Sequence, residues 1–148
     1  MLFVPGLLLV VFPVWLMTTH QSALFSFGLL RWLALPFWAA GAAVTLWCAW
    51  AFTVRGHGTP SPADPLKVLV VSGLYRYVRN PIYVGVVLVL LGHVFWHPSP
   101  PILWMPVIVA VCAHLFVTLY EEPHLQKTFG VAYQDYCRNV PRWIPRLK

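Results

Sequence analysis

From Trp32 to Val54 the chain runs for 23 residues without a charged side chain. As a helix, that run is long enough to cross a hydrocarbon layer of ~30 Å with some tilt. Three further apolar runs accompany it, at residues 2–17, 82–96 and 102–120. The run at 82–96 is the shortest, and its 15 residues reach only about 22 Å. Composition agrees with the segments: 59% of the 148 residues are hydrophobic and 9% are charged, against about 25% charged in ordinary soluble domains. The expected fold class is all-α. It is a polytopic membrane helical bundle of about four transmembrane helices, followed by a cytoplasmic aromatic segment at the C-terminus. One domain over residues 1–148 is expected, with two N-terminal spans in 1–54 and the motif-bearing part in 72–145. The first run lacks a basic flank and a small-residue cleavage site, which favours a retained span over a signal peptide.

Charges then give the molecule two sides. Arg55, Lys67, Arg76 and Arg79 fall between the second and third runs, against Asp64 alone. After Tyr120 come Lys127, Arg138, Arg142, Arg146 and Lys148 against Glu121, Glu122 and Asp135. The remaining two connections hold a single cation, Arg31. The positive-inside rule places both termini and the central loop in the cytoplasm, which requires an even number of spans. The expected setting is the cytoplasmic membrane of a bacterium. The net charge of +6 borders apolar segments, so anionic lipid headgroups are its counter-charge and nucleic acid is not an expected partner.

The scarce polar residues gather in two places. One is YRYVRNPIYVG at residues 75–85. Pro81 suits the first turn of the third span and Asn80 the cap before it. Arg79 and Tyr83 are four apart and share a helix face. With Arg76 and Arg79 beside a helix N-terminus, the place suits a carboxylate or phosphate; membrane anchoring by snorkelling arginines and interfacial tyrosines is the plainer reading. The other place is YEEPHLQKTFG at residues 120–130, which holds the chain's two glutamates. A short Pro-rich break at residues 97–101 makes the last two spans antiparallel neighbours. Glu121 or Glu122 then returns to the level of Arg76, Arg79 and Tyr83. A structural ion-pair lock and a ligand site both fit that juxtaposition. Tyr120 and His124 form another four-residue pair, and Tyr133 and Tyr136 can face the same way on a short helix that roofs a pocket. Cys48 and Cys112 read as small buried apolar residues. The six histidines are scattered, and no metal site is expected.

Taken as an ordered set, Arg79, Pro81, Tyr83 and Gly85, then Glu121 and Glu122, then Phe129, Gly130, Tyr133 and Tyr136 resemble the isoprenylcysteine carboxyl methyltransferase-like and phospholipid methyltransferase-like membrane families. The likeness covers residues 72–145. Asn80 stands where the commonest form of the first motif has histidine, and a carboxamide cannot titrate near neutrality. The resemblance implies a pocket for S-adenosyl-L-methionine and a hydrophobic or lipid-like acceptor reached from the membrane. On this reading the catalytic residues are Arg79, Tyr83 and Glu121. The cofactor residues are Arg76, Arg79, Asn80, Tyr83, Glu121, Glu122, His124, Tyr133 and Tyr136. Sterol reductases have similar C-terminal regions, so an NADPH-dependent membrane reductase is the enzymatic alternative. A non-enzymatic membrane subunit is the other.

Overall fold

The structure is a computed structural model that describes Trp15, residues 27–55 and residues 69–145. The span expected at residues 2–17 (apart from Trp15), and the Gly-, Pro- and Ser-rich stretch at 56–65, lie outside the described residues. Among the described residues every regular element is helical and there is no strand. A 3-10 turn at Gly28–Leu33 leads into α1, Ala34–Arg55. A second 3-10 turn, Gly73–Arg76, precedes α2, Pro81–Trp96. After a break at residues 97–99 comes α3, Pro100–Phe116, which passes through a π-helical turn at Val117–Glu121 into α4, Glu122–Phe129. Finally, α5 is Val131–Asn139.

Two of these helical rods, Gly28–Ala51 and Pro100–Phe129, are long and apolar enough to cross a membrane; α2 is apolar but shorter. Only 17% and 28% of their most apolar windows are buried. Apolar helices that present most of their surface outwards are stable against lipid, not against water. The membrane reading of the sequence therefore holds. Cys112 follows from it: expected among buried residues, it lies exposed on α3, whereas Cys48 is completely buried. An outward apolar face needs no burial in lipid.

The packing of the described residues divides into two compact units, with boundaries after Ala43, Val84 and Val111. In the first, Val89 and Leu90 of α2 and Ile102 and Met105 of α3 form the core, with Trp38 of α1 against it. In lipid there is no hydrophobic drive to press helices together, so close approach depends on small residues. Gly41 supplies it. A Cβ there would lie 2.7 Å from the Gly85 carbonyl oxygen and 2.8 Å from the Val89 nitrogen. The indole nitrogen of Trp38 is 3.2 Å from His93 Nδ1, which is also 2.9 Å from the Val89 carbonyl. One tautomer of His93 accepts from the indole; the other donates to the carbonyl. At the end of this unit Phe95 packs on Phe27 and Phe37. The Arg31 guanidinium lies 5.2 Å from the Trp32 ring and 5.7 Å from the Trp96 ring, a cation–π arrangement suited to a membrane–water boundary. In the second unit Cys48 and Ala51 at the end of α1 pack with Val70 and Tyr75.

Replacing Gly41 with alanine is expected to lower stability by about 1–3 kcal/mol through overpacking against α2. Thermal unfolding in lipid nanodiscs checks this, and an unchanged midpoint would contradict the close approach.

Candidate functional site

The second unit brings the two polar stretches of the sequence together. Its geometry starts at Pro123. In a regular α-helix this residue could not donate to the Leu119 carbonyl, and its ring would crowd that oxygen. The π-helical turn directly before it accommodates the proline, with the Glu122 amide donating to the Val117 carbonyl. The rod continues without a break, so the helix carries its polar end beyond the apolar run. Neighbouring residues on a helix point about 100° apart, and the two glutamates accordingly address different partners.

Glu121 accepts a 3.0 Å hydrogen bond from the Tyr83 hydroxyl of α2. Glu122 is held by two arginines. Arg142 grips it with a fork, Nε to Oε1 and Nη2 to Oε2, both at 2.8 Å. Arg79 Nη1 lies 3.1 Å from the same Oε1. The three side chains are 18%, 32% and 12% exposed for Glu122, Arg142 and Arg79. At that depth charge-assisted bonds are worth more than on an open surface. Arg79 Nη1 also donates to Cys137 Sγ at 2.7 Å, while its Nε is buried without a hydrogen-bond partner.

The C-terminal segment is fastened to the stretch before α2. Gly130, at φ 55°, turns the chain from α4 into α5. The Tyr136 hydroxyl then donates to the Tyr75 carbonyl at 2.7 Å. Beyond α5, the Arg79 amide donates to the Pro141 carbonyl at 2.9 Å, and the Asn80 carboxamide reaches the Arg142 carbonyl at 3.4 Å. The Trp143 indole donates to His114 Nδ1 at 3.2 Å, and its ring stands 6.3 Å from that of Tyr83.

Between these elements is a cavity of about 440 Å³, within the roughly 300–1,000 Å³ usual for small-molecule sites. Thr118, Glu122 and Gln126 line one side with Pro123, and Arg79 lines another. Tyr133, Cys137 and Arg142 line it from the C-terminal segment. Two guanidinium charges face one carboxylate here, leaving a positive excess that suits an anionic group. Burial raises the Tyr133, Tyr136 and Tyr75 hydroxyls above the ordinary phenol value, the nearby Arg79 opposing this in part at Tyr136. Its bond to Glu122 raises Arg142. The phenols therefore stay neutral donors and Arg142 stays charged across the physiological range.

Of the residues singled out in the sequence, Arg79, Glu122 and Tyr133 line the cavity. Tyr83, Glu121, Asn80 and Tyr136 make the contacts around it described above. Arg76 is exposed at the end of its 3-10 turn, and His124 is exposed and stacks on Tyr120; both lie outside the lining. Sequence reasoning missed Thr118, Pro123, Gln126, Cys137 and Arg142. Thr118, Glu122 and Gln126 recur every fourth residue, as do Tyr133 and Cys137, so helical spacing carried a signal for part of this set. Among the described residues, no group of three or more His, Cys, Asp or Glu is placed to hold a metal ion.

A helical membrane protein with a charged cavity at the end of an apolar rod is the class that fold and site define. Residues 29–132 match the phospholipid methyltransferase family; the chain belongs to that family. It is 38% identical over 76 residues to methanethiol S-methyltransferase 2 of Bradyrhizobium diazoefficiens, covering 50% of this chain and 27% of that protein. It is 29% identical over 127 residues to the Delta(14)-sterol reductase LBR of Gallus gallus, covering 70% and 20%. It is 31% identical over 93 residues to the protein-S-isoprenylcysteine O-methyltransferase of Schizosaccharomyces pombe, covering 62% and 39%. The chain thus spans between a fifth and two fifths of the length of these relatives. No solved structure matches it significantly.

Two substitutions test the closure of the cavity. Tyr136→Phe removes one hydrogen bond and is expected to cost about 1 kcal/mol. Glu122→Gln leaves two guanidiniums facing each other and is expected to cost roughly 2–3 kcal/mol, below the ~3–5 kcal/mol of a fully buried pair. Limited proteolysis of the C-terminal segment and thermal unfolding read both, and the reverse ranking would contradict the central place given to Glu122.

Proposed function

We propose that the protein is an S-adenosyl-L-methionine-dependent methyltransferase that acts at the membrane on a hydrophobic or lipid-like acceptor. The observation that carries this reading is the cavity built around Arg79, Glu122 and Arg142 in a chain of the phospholipid methyltransferase family. The donor set fits the cofactor. The buried, unpartnered Nε of Arg79 and the positive excess suit its carboxylate; Glu122 suits its ammonium or ribose hydroxyls. The Tyr133 face suits adenine or the sulfonium, by stacking or cation–π attraction. When bound, this cofactor supplies an electrophilic methyl on a sulfonium, whose sulfur departs as a neutral thioether.

The chain's own work is then to align the acceptor and keep water out. Arg79 and Arg142 fix one end of the ligand, while Tyr133 and Cys137 cover it. Tyr83 and Glu121 stand beside this arrangement as a phenol–carboxylate pair. A carboxylate acceptor needs no base. A neutral amine or thiol acceptor must lose a proton, and Glu121 is the carboxylate available to take it, with Tyr83 fixing its orientation. The family supports a lipid-like acceptor, and the two methyltransferase relatives are named for methanethiol and for isoprenylcysteine in a protein. The positive-inside distribution supports both termini in the cytoplasm, and the bacterial relative supports the cytoplasmic membrane of a bacterium.

Titration of S-adenosyl-L-methionine, its demethylated product and NADPH into the protein in lipid nanodiscs tests the reading. Saturable binding of the first two is expected, weakened about 10–100-fold in Arg142→Ala by loss of a charge-assisted bond. Binding of NADPH alone would transfer the assignment to the reductases, for which the Gallus gallus match is the supporting observation. Binding of none by folded protein would leave Glu122 and its arginines as a structural lock.

A further inference from the structure

The face of the long rod that turns away from the cavity carries a ladder of its own. Phe116, Tyr120 and His124 follow one another every fourth residue, and Lys127 continues the row. The ring centroids of Phe116 and Tyr120 are 5.3 Å apart; those of Tyr120 and His124 are 6.2 Å apart with planes only 3° from parallel. None of this is covered: Phe116 is 46% and Tyr120 52% exposed, the adjacent Leu119 75%, and His124 and Lys127 are exposed too. Thr118, Glu122 and Gln126, which line the cavity, lie on the other side of the same helix.

Two properties of the ladder identify what covers it. The first is depth. The rod Pro100–Phe129 has 30 residues and is therefore about 45 Å long, against a ~30 Å hydrocarbon layer. A helix entering at Pro100 leaves the hydrocarbon about 20 residues later, close to Leu119 and Tyr120. The second is order. Along the exposed face an apolar ring is followed by a phenol, an imidazole and an ammonium. That sequence matches the passage from acyl chain through interface to anionic headgroup. A partner helix would call for small residues that let two backbones approach, and this row of four large side chains has none.

We infer that the Phe116–Tyr120–His124–Lys127 face is a docking surface for anionic phospholipid, with the lipid phosphate at His124 and Lys127 and its chains along Phe116 and Leu119. It holds the rod at a fixed depth from behind while the opposite face carries the cavity. Lipid docking of this kind does not require methyl transfer, so either assignment can fail without the other.

Native mass spectrometry of the full chain released from nanodiscs of equal phosphatidylglycerol and phosphatidylcholine tests it. Retained phosphatidylglycerol is expected to exceed phosphatidylcholine by roughly fivefold, the effect of one well-placed cation. The double variant His124→Gln/Lys127→Gln is expected to lower that ratio clearly, to the level the remaining cations sustain. Arg138→Gln serves as control, because that exposed guanidinium already pairs with Asp135 at 3.4 Å; its ratio is expected to stay at the parent value. All replaced positions are exposed, and unchanged unfolding midpoints will show that the variants fold. Equal retention of both lipids, or a preference undiminished in the double variant, would overturn the inference. A dimer that is lost in the double variant would overturn it in favour of a second copy of the chain.

Discussion

The carboxylate of Glu122 is the point on which the site depends. It sits between Arg79, from the stretch before α2, and Arg142, from beyond α5. Without that carboxylate the two guanidiniums would face each other at low exposure, and the C-terminal segment would be repelled from the place where it docks. With it, one negative charge serves two positive ones and a positive excess remains. A lock and a ligand site can therefore share the same residues. A lock with balanced charges would be complete in itself; here the cavity lining is left with more guanidinium than carboxylate, which is what the proposed ligand site would use.

The second constraint is the proline one residue on. Pro123 cannot sit in a regular α-helix without crowding the Leu119 carbonyl, and the widened turn at Val117–Glu121 absorbs the conflict. The rod continues as a helix, so Glu121 and Glu122 keep separate directions. Glu121 meets a phenol and Glu122 meets two guanidiniums. Two acids that would repel on one face are thus divided between a neutral partner and a cationic pair. In acid–base chemistry such a division assigns different tasks to neighbouring carboxylates.

Much of this was legible in the sequence, because a membrane leaves few options. The uncharged runs gave the helices at Ala34–Arg55, Pro81–Trp96 and Pro100–Phe116 to within a few residues. The proximity of Arg79 and Tyr83 to the glutamates followed from a short connection between two apolar runs. Arg142 was not legible. It lies 20 residues from Glu122 in a stretch with other cations, and nothing local distinguishes it from Arg138, which pairs with Asp135 on the surface. Its role comes from the turn at Gly130 and the docking of α5, which are tertiary events. His124 was misleading for the opposite reason. Adjacency to the glutamates in sequence suggested the site, but two positions along a helix turn a side chain to the other face.

The family match ends at residue 132, yet three of the residues that line the cavity, Tyr133, Cys137 and Arg142, follow it. The reason lies in the backbone. Residues 77–80 and 140–145 are irregular, with Val78, Asn80 and Val140 buried, and buried backbone amides and carbonyls must find partners. They find each other: the Arg79 amide meets the Pro141 carbonyl, and the Asn80 side chain meets the Arg142 carbonyl. Asparagine contributes here as a neutral donor, a task that requires no titration. Pairing these two irregular segments sets Arg142 opposite Arg79, and Glu122 joins them. The same hydrogen bonds that satisfy these backbone groups thus assemble the charged end of the cavity.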